Sequence, residues 1–98
     1  MNARTLDRDA IVSAVDWRAF WQSELESMPA PRHSTGWHCG GTNPTRADAR
    51  PGSFRVNLST GAWCDYADGS KGDGPGWLMA RYGLTFPEAL EVLEGYTR

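Results

Sequence analysis

Cations and aromatic side chains in the middle of the chain are the residues whose types and spacing could bind a polyanion. Single-stranded nucleic acid is held by cations that follow its phosphates and by aromatic faces on which its bases stack. Arg55 is the first candidate for a phosphate contact, because it lies on the polar side of the alternating segment 53–58. The remaining candidates are Arg46, Arg50 and Lys71 for phosphates, and Trp63 or Tyr66 as the stacking platform.

Each of these residues also has an ordinary structural role, which the sequence leaves open. Arginines often serve only to keep a surface soluble, and tryptophans often pack in the core. Trp63 and Tyr66 are three positions apart, so they lie at opposite phase on a strand and one of them should face solvent. The sequence does not fix the register that decides which one.

The chain is weakly acidic overall but basic in its middle. The formal net charge is −2, whereas segment 32–56 carries four arginines against the single carboxylate of Asp48, a local charge of +3. Residues 1–31 sum to −2 and residues 57–98 to −3. A basic middle between acidic ends favours a localised anion-binding face.

No motif in the chain indicates independent catalysis, and we expect a protein that is not an enzyme. Paired carboxylates, a Ser-His-Asp order and a phosphate-binding loop are all missing from the sequence. The glycine-rich segment 67–76 lacks the Gly-Lys-Ser/Thr ending of such a loop, and its Asp68 and Asp73 would repel phosphate. Because no apolar run is long enough for a signal peptide or a membrane span, we expect a cytoplasmic protein with reduced Cys39 and Cys64.

The length of 98 residues predicts one α+β domain, 1–98, in three parts. Residues 1–31 form a helical lead-in with a frayed start at 1–6, residues 36–66 form the β core, and residues 77–95 form two helices. The first predicted helix follows a cap at Asp7 or Asp9 and ends at Ala14, and the second runs from Trp17 to Met28 after a cap at Asp16. The third runs from Trp77 to Tyr82 and is closed by Gly83. The fourth starts at the capping box of Thr85 and runs to Leu93, with Gly95 beyond its end.

Alternation of apolar and polar residues predicts a β-hairpin with strands in 53–58 and 62–66. Segment 36–39 is short enough to be an edge strand at best, and the long loop 40–52 is expected to be functional or mobile. The positions predicted to be buried on helices are Trp17, Phe20, Trp21, Leu25 and Met28 in the first half, and Phe86, Ala89, Leu90 and Leu93 in the second.

The order of these segments resembles the N-terminal zinc-binding domain of bacterial and phage DNA primases, a Cys-His-Cys-Cys zinc ribbon. The matching segments are 37–42, Pro-Gly-Ser-Phe-Arg-Val at 51–56, Trp-Cys-Asp-Tyr-Ala at 63–67, 72–74, 77–79, and Gly-Leu-Thr-Phe-Pro-Glu-Ala at 83–89. The resemblance runs from Asp7 to Leu93 and is most specific in the last segment. It implies a small ribbon-like antiparallel sheet flanked by helices, in a non-catalytic domain that recognises single-stranded template. The polymerising domain of such primases has no room in these 98 residues.

Half of the zinc ligands that the resemblance implies are replaced. Cys39 and Cys64 match the first ligand of each pair, whereas Thr42 and Ala67 stand where the second ligands would be. Structural zinc needs four ligands, and adjacent strand residues such as His38 and Cys39 point to opposite faces. We therefore expect no cofactor and two cysteines that act as small apolar side chains. The alternative is zinc held by Cys39, Cys64 and His38.

Two classes of function follow from these observations. The first is a nucleic-acid-binding module for single-stranded DNA in the replication of a phage, a plasmid or another mobile element. The second is a protein-interaction module, an adaptor or inhibitor of a nucleic-acid machine that kept the fold and lost zinc and DNA binding. The clustered arginines favour the first class, and the replaced ligands with the acidic total charge favour the second. An exposed aromatic residue on one surface with Arg46, Arg50 and Arg55 would discriminate between them.

Overall fold

The computed structural model describes residues 7–33, 35–47 and 50–98. The prediction for residues 1–6 falls outside these ranges, as do Ser34, Asp48 and Ala49. The predicted α+β class is confirmed, with a four-stranded antiparallel sheet and four helices in the described part of the chain. The elements are α1 (Arg8–Ala14), α2 (Trp17–Glu24), β1 (Trp37–Cys39), β2 (Phe54–Asn57), β3 (Trp63–Asp65), β4 (Lys71–Gly72), α3 (Gly74–Tyr82) and α4 (Phe86–Glu94).

The two N-terminal helices begin where the sequence predicts. Asp7 and Asp16 are their N-caps, and each side-chain oxygen accepts a hydrogen bond from the backbone N–H three residues on. The second helix is shorter than predicted, because it ends at Glu24 rather than Met28. Leu25 takes an extended backbone conformation there and buries its side chain, 3% exposed, so the chain leaves the helix axis to keep Leu25 in the core.

The sheet has the order β1-β2-β3-β4, with every neighbouring pair antiparallel. Its centre is the predicted hairpin of β2 and β3, and β1 is an edge strand as expected. The sequence did not predict β4, which forms inside the glycine-rich segment and pairs with β3. Gly72 fits there because a Cβ at that position would lie 3.1 Å from Nε1 of Trp63, so a larger residue would push against the indole.

The two C-terminal helices follow their capping residues. The third helix starts at Gly74, three residues before the predicted start, because Asp73 caps it by accepting a 2.8 Å hydrogen bond from the N–H of Gly76. It ends at Gly83 in the left-handed conformation (φ 68°), which favours glycine. The capping box of Thr85 and Glu88 is confirmed. Phe86 was predicted to be buried and is 39% exposed, because it is the first helical residue and lies at the rim of the packed stripe.

An aromatic cluster fills the space between the helices and one face of the sheet. Trp77 lies at its centre, with ring centroids 5.2–5.4 Å from those of Phe54, Trp63 and Trp21. The remaining helix positions predicted to be buried are buried except Met28, which is half-buried against this core. The exception among the tryptophans is Trp37, which is 47% exposed on the edge strand β1. In the ranges that the structure describes, no helix has the length and apolarity needed to cross a membrane.

Candidate nucleic-acid interface

The register of the sheet separates an inner face from an outer face. Residues paired across neighbouring strands point to the same side, and successive residues of one strand alternate. One set of partners, His38, Val56, Trp63 and Gly72, belongs to the inner face that meets the core. The next set forms a row across all four strands on the outer face: Cys39, Arg55, Cys64 and Lys71. This outer row brings together two cations that are sixteen residues apart in sequence.

The two cations of the outer row are available to a ligand. Arg55 is half-buried and Lys71 is exposed, and neither side chain forms a hydrogen bond or an ion pair with the described part of the chain. They are the charged residues among the outward-pointing positions of the described strands, which otherwise hold Trp37, Cys39, Asn57 and Cys64. The outer face is therefore cationic on a chain whose net charge is −2.

A shallow apolar depression of about 610 Å³ lies on the same face. Trp37 and Tyr66 line it together with Ala62, Trp63, Cys64, Lys71 and Gly72. Tyr66 is 77% exposed and Trp37 is 47% exposed, so both rings present area to solvent. We call this depression, with Arg55 beside it, the outer groove. It combines exposed aromatic rings with cations, the two components that a binding site for unpaired bases requires.

The alternative between Trp63 and Tyr66 is resolved by the register. Trp63 is on the inner face and only 8% exposed, and its Nε1–H donates to the carbonyl of Asp73 at 3.0 Å. It packs against Phe54 and Trp77. Trp63 therefore acts mainly as a core residue, and only the small exposed part of its indole borders the depression. Tyr66 is the member of the pair that faces solvent.

Arg46, a predicted phosphate contact, lies in an ion pair with Asp65. Its Nε lies 2.7 Å from Oδ2 of Asp65 and its Nη2 lies 3.2 Å from Oδ1, a bidentate ion pair. The Asp65 side chain is fully buried and that of Arg46 is 27% exposed. The same Nη2 donates to Oγ of Ser53 at 3.0 Å. Through Nε and Nη2, Arg46 holds the loop to the sheet.

Asp65 is the centre of a buried polar network that we call the Asp65 network. Besides Arg46, it accepts hydrogen bonds from Nδ2 of Asn43 at 2.8 Å and from the N–H of Ala67 at 2.9 Å. The Arg46 guanidinium lowers the pKa of Asp65 below its ordinary value; burial opposes this shift, and the other hydrogen bonds add to it. The network ties the loop after β1 to the end of β3. It thereby fixes the backbone on both sides of Tyr66, whose own N–H donates to Ser53.

Arg50 lies outside the outer row, and Trp37 lies at the outer groove. Arg50, a predicted phosphate contact, is exposed in the loop before β2 and is not part of the outer row. Of the three arginines expected to share a surface with an exposed aromatic residue, Arg55 is in the outer row, whereas Arg46 and Arg50 lie outside it. Trp37 was not among the predicted site residues, although it lines the outer groove. Trp37 and Cys39 are two positions apart and share a face of β1, which the pairing of Cys39 with Arg55 makes the outer face.

The candidate zinc ligands do not form a site. Cys39 and Cys64 are free thiols on either side of Arg55 in the outer row, so a cation and a whole strand separate them. His38 is on the opposite face, paired with Val56. Within the described residues, no group of three or more His, Cys, Asp or Glu side chains could hold a metal ion. These residues do not fit the tetrahedral four-ligand arrangement of structural zinc.

Comparison of the chain with protein-family models, with curated proteins and with solved structures found no match.

Proposed function

We propose that this protein is a non-catalytic module that binds single-stranded DNA on the outer face of its sheet. The observation that carries the proposal is the outer row, in which Arg55 and Lys71 flank Cys64 beside the exposed rings of Trp37 and Tyr66. Cations would meet phosphates there and the rings would meet bases. Arg46 and Trp63 take no part in this proposal, because both are engaged in the interior.

The arrangement favours unpaired over paired strands. In a duplex the faces of the bases are covered by their neighbours, whereas a single strand can turn a base onto an aromatic ring. Each base stacked in this way contributes about 1–3 kcal/mol. A sheet four strands wide spans about 14 Å at roughly 4.8 Å per strand, which is enough to receive a few nucleotides.

The resemblance to the template-recognising domain of primases supports the same conclusion from the sequence. We propose a role in the replication of a phage, a plasmid or another mobile element, in which the protein holds template for a separate enzyme. Zinc is not part of this proposal, since Cys39, Cys64 and His38 are not brought together.

The proposal is tested by titrating the protein with a fluorescein-labelled oligothymidylate of about ten nucleotides and recording anisotropy at low salt. We expect saturable binding that Arg55→Ala weakens, with Arg98→Ala as the matched control. Arg98 is also exposed, but its backbone pairs with Ala14 away from the outer row. Absence of binding at low salt, or equal binding by both variants, would contradict the proposal.

A protein-interaction module is the second candidate. The apolar lining of the outer groove and the net charge of −2 favour it, because exposed aromatic area also suits a peptide or a protein surface. If the oligonucleotide does not bind, the same groove becomes the surface to test against a protein partner, with Tyr66→Ala as the variant that should abolish capture.

A further inference from the structure

We infer that a bound single strand lies along β3, with one base stacked on Trp37, a second on Tyr66, and the intervening backbone over Cys64 between Arg55 and Lys71. This inference rests on the proposed function and specifies its ligand: a short unpaired segment of about three to five nucleotides. It also assigns a stacking role to Trp37 and places the thiol of Cys64 directly beneath the bound backbone.

The direction of the strand follows from what lines the outer groove. Cys64 on β3 and the residues on either side of this strand, Ala62 and Tyr66, are each two positions apart, and all three line it. Trp37, two strands away on β1, also lines it and is paired in register with Asn57. The N–H of Asn57 bonds the carbonyl of Ala62 at 2.7 Å, so Trp37 and Ala62 lie at the same end of the sheet. Tyr66 lies at the other end, beside Ser53. The groove thus has an aromatic residue at each end.

The cations stand on opposite sides of this path. Arg55 on β2 and Lys71 on β4 are the two direct cross-strand partners of Cys64. Directly opposed residues have Cβ atoms about 4.5–5.5 Å apart, so each cation can reach a phosphate that passes over Cys64. The two cations therefore favour a polyanion, and the aromatic residues at the two ends favour one that carries planar bases on either side of its phosphates.

The length of the groove sets the length of the ligand. From Ala62 to Tyr66, the residues that flank β3, the chain advances four residues, at most about 14 Å at roughly 3.4 Å per residue. A stacked DNA strand advances about 3.4 Å per nucleotide, so that distance corresponds to about four steps, and an extended strand needs fewer. The bases on Trp37 and Tyr66 are therefore not neighbours in sequence.

Cys64 provides a direct test, because a backbone above it would shield its thiol. In the single-thiol variant Cys39→Ser, the rate of Cys64 alkylation by iodoacetamide is measured by mass spectrometry with and without saturating pentathymidylate. We expect at least about a fivefold slowing. In the matched variant Cys64→Ser, the remaining Cys39 lines no part of the outer groove, and its alkylation rate should change less than twofold.

Oligothymidylates of two to eight nucleotides give a second readout. We expect affinity to rise steeply up to about five nucleotides and then to level off, and Trp37→Ala and Tyr66→Ala each to weaken pentathymidylate about tenfold or more. Both substitutions remove exposed rings, so the variants should stay folded, which thermal unfolding checks. Binding by anisotropy without protection of Cys64 would overturn the inference and leave the proposed function standing. No binding of any oligonucleotide would overturn both.

Discussion

Arg46 and Asp65 form a bidentate ion pair, with Nε and Oδ2 2.7 Å apart and Nη2 and Oδ1 3.2 Å apart. The pair joins the loop after β1 to the end of β3, nineteen residues on. It explains why an arginine in the basic middle of the chain does not contribute to the outer face. It also fixes the backbone next to Tyr66, whose ring is 77% exposed. An ion pair on the inner side of the sheet thus helps to position an exposed ring of the outer groove.

Removal of either partner of this pair should strongly destabilise the protein. Breaking a buried ion pair leaves an uncompensated charge and costs about 3–5 kcal/mol. We therefore expect Arg46→Ala to lower the free energy of unfolding by about that amount, measured by urea denaturation followed by far-UV circular dichroism. The control Arg98→Ala should change it by less than about 0.5 kcal/mol, as for most exposed positions. Equal stability of the two variants would show that the Asp65 network does not hold the loop.

The stability of the protein should decrease in acid because of Asp65. Its pKa is lowered in the folded protein relative to its ordinary value of 3.8, so the folded state favours the charged carboxylate. The stabilisation that Asp65 gives is complete at pH values above its ordinary pKa and is lost as the pH falls below that pKa. The reason is that Asp65 then becomes protonated in the unfolded chain while it is still charged in the folded protein.

The corresponding measurement is the free energy of unfolding between about pH 6 and pH 3 for the native sequence and Asp65→Asn. We expect a shallower decrease for the variant below about pH 4.5. Asp68 and Glu88 also have lowered pKa values, but both are exposed and remain in the variant, so they cancel in the comparison. Parallel curves would mean that Asp65 does not carry this dependence.

Trp37 and Trp63 should respond to substitution in opposite ways. Trp63 is 8% exposed in the core, and truncation of a buried tryptophan to alanine costs about 3–5 kcal/mol. Trp37 is 47% exposed on an edge strand, so Trp37→Ala should cost about 1 kcal/mol or less while weakening DNA binding. Thermal unfolding and the anisotropy titration together separate these effects. Loss of stability in Trp37→Ala comparable to that in Trp63→Ala would contradict the division into an inner and an outer face.

The elements that could be predicted from the sequence are those determined by local chemistry. Asp7, Asp16 and Thr85 satisfy helix N-termini within three residues of themselves, and Gly83 ends a helix through its own backbone conformation. These interactions are short in sequence, so composition and spacing reveal them. The hairpin was predictable for the same reason, because β2 and β3 are joined by a short turn.

What could not be predicted depends on partners far apart in the chain. Arg46 has the charge of a phosphate contact, and only the fold shows that Asp65 neutralises it. Lys71 joins Arg55 because β4 forms within a glycine-rich segment whose pairing partner is set by the tertiary structure. Likewise, the position of Trp37 on the outer face depends on the register in which β1 pairs with β2, which the sequence does not reveal.

The salt dependence of oligothymidylate binding tests the central claim most directly. For single strands, the slope of log K against log salt is about −0.7 for each phosphate neutralised. If Arg55 and Lys71 each hold one phosphate, the slope should be about −1.4, and Arg55→Gln should reduce it to about −0.7 while Arg98→Gln leaves it unchanged. A slope near zero, or one that Arg55→Gln does not alter, would contradict the assignment of the outer face as a binding site for single-stranded DNA.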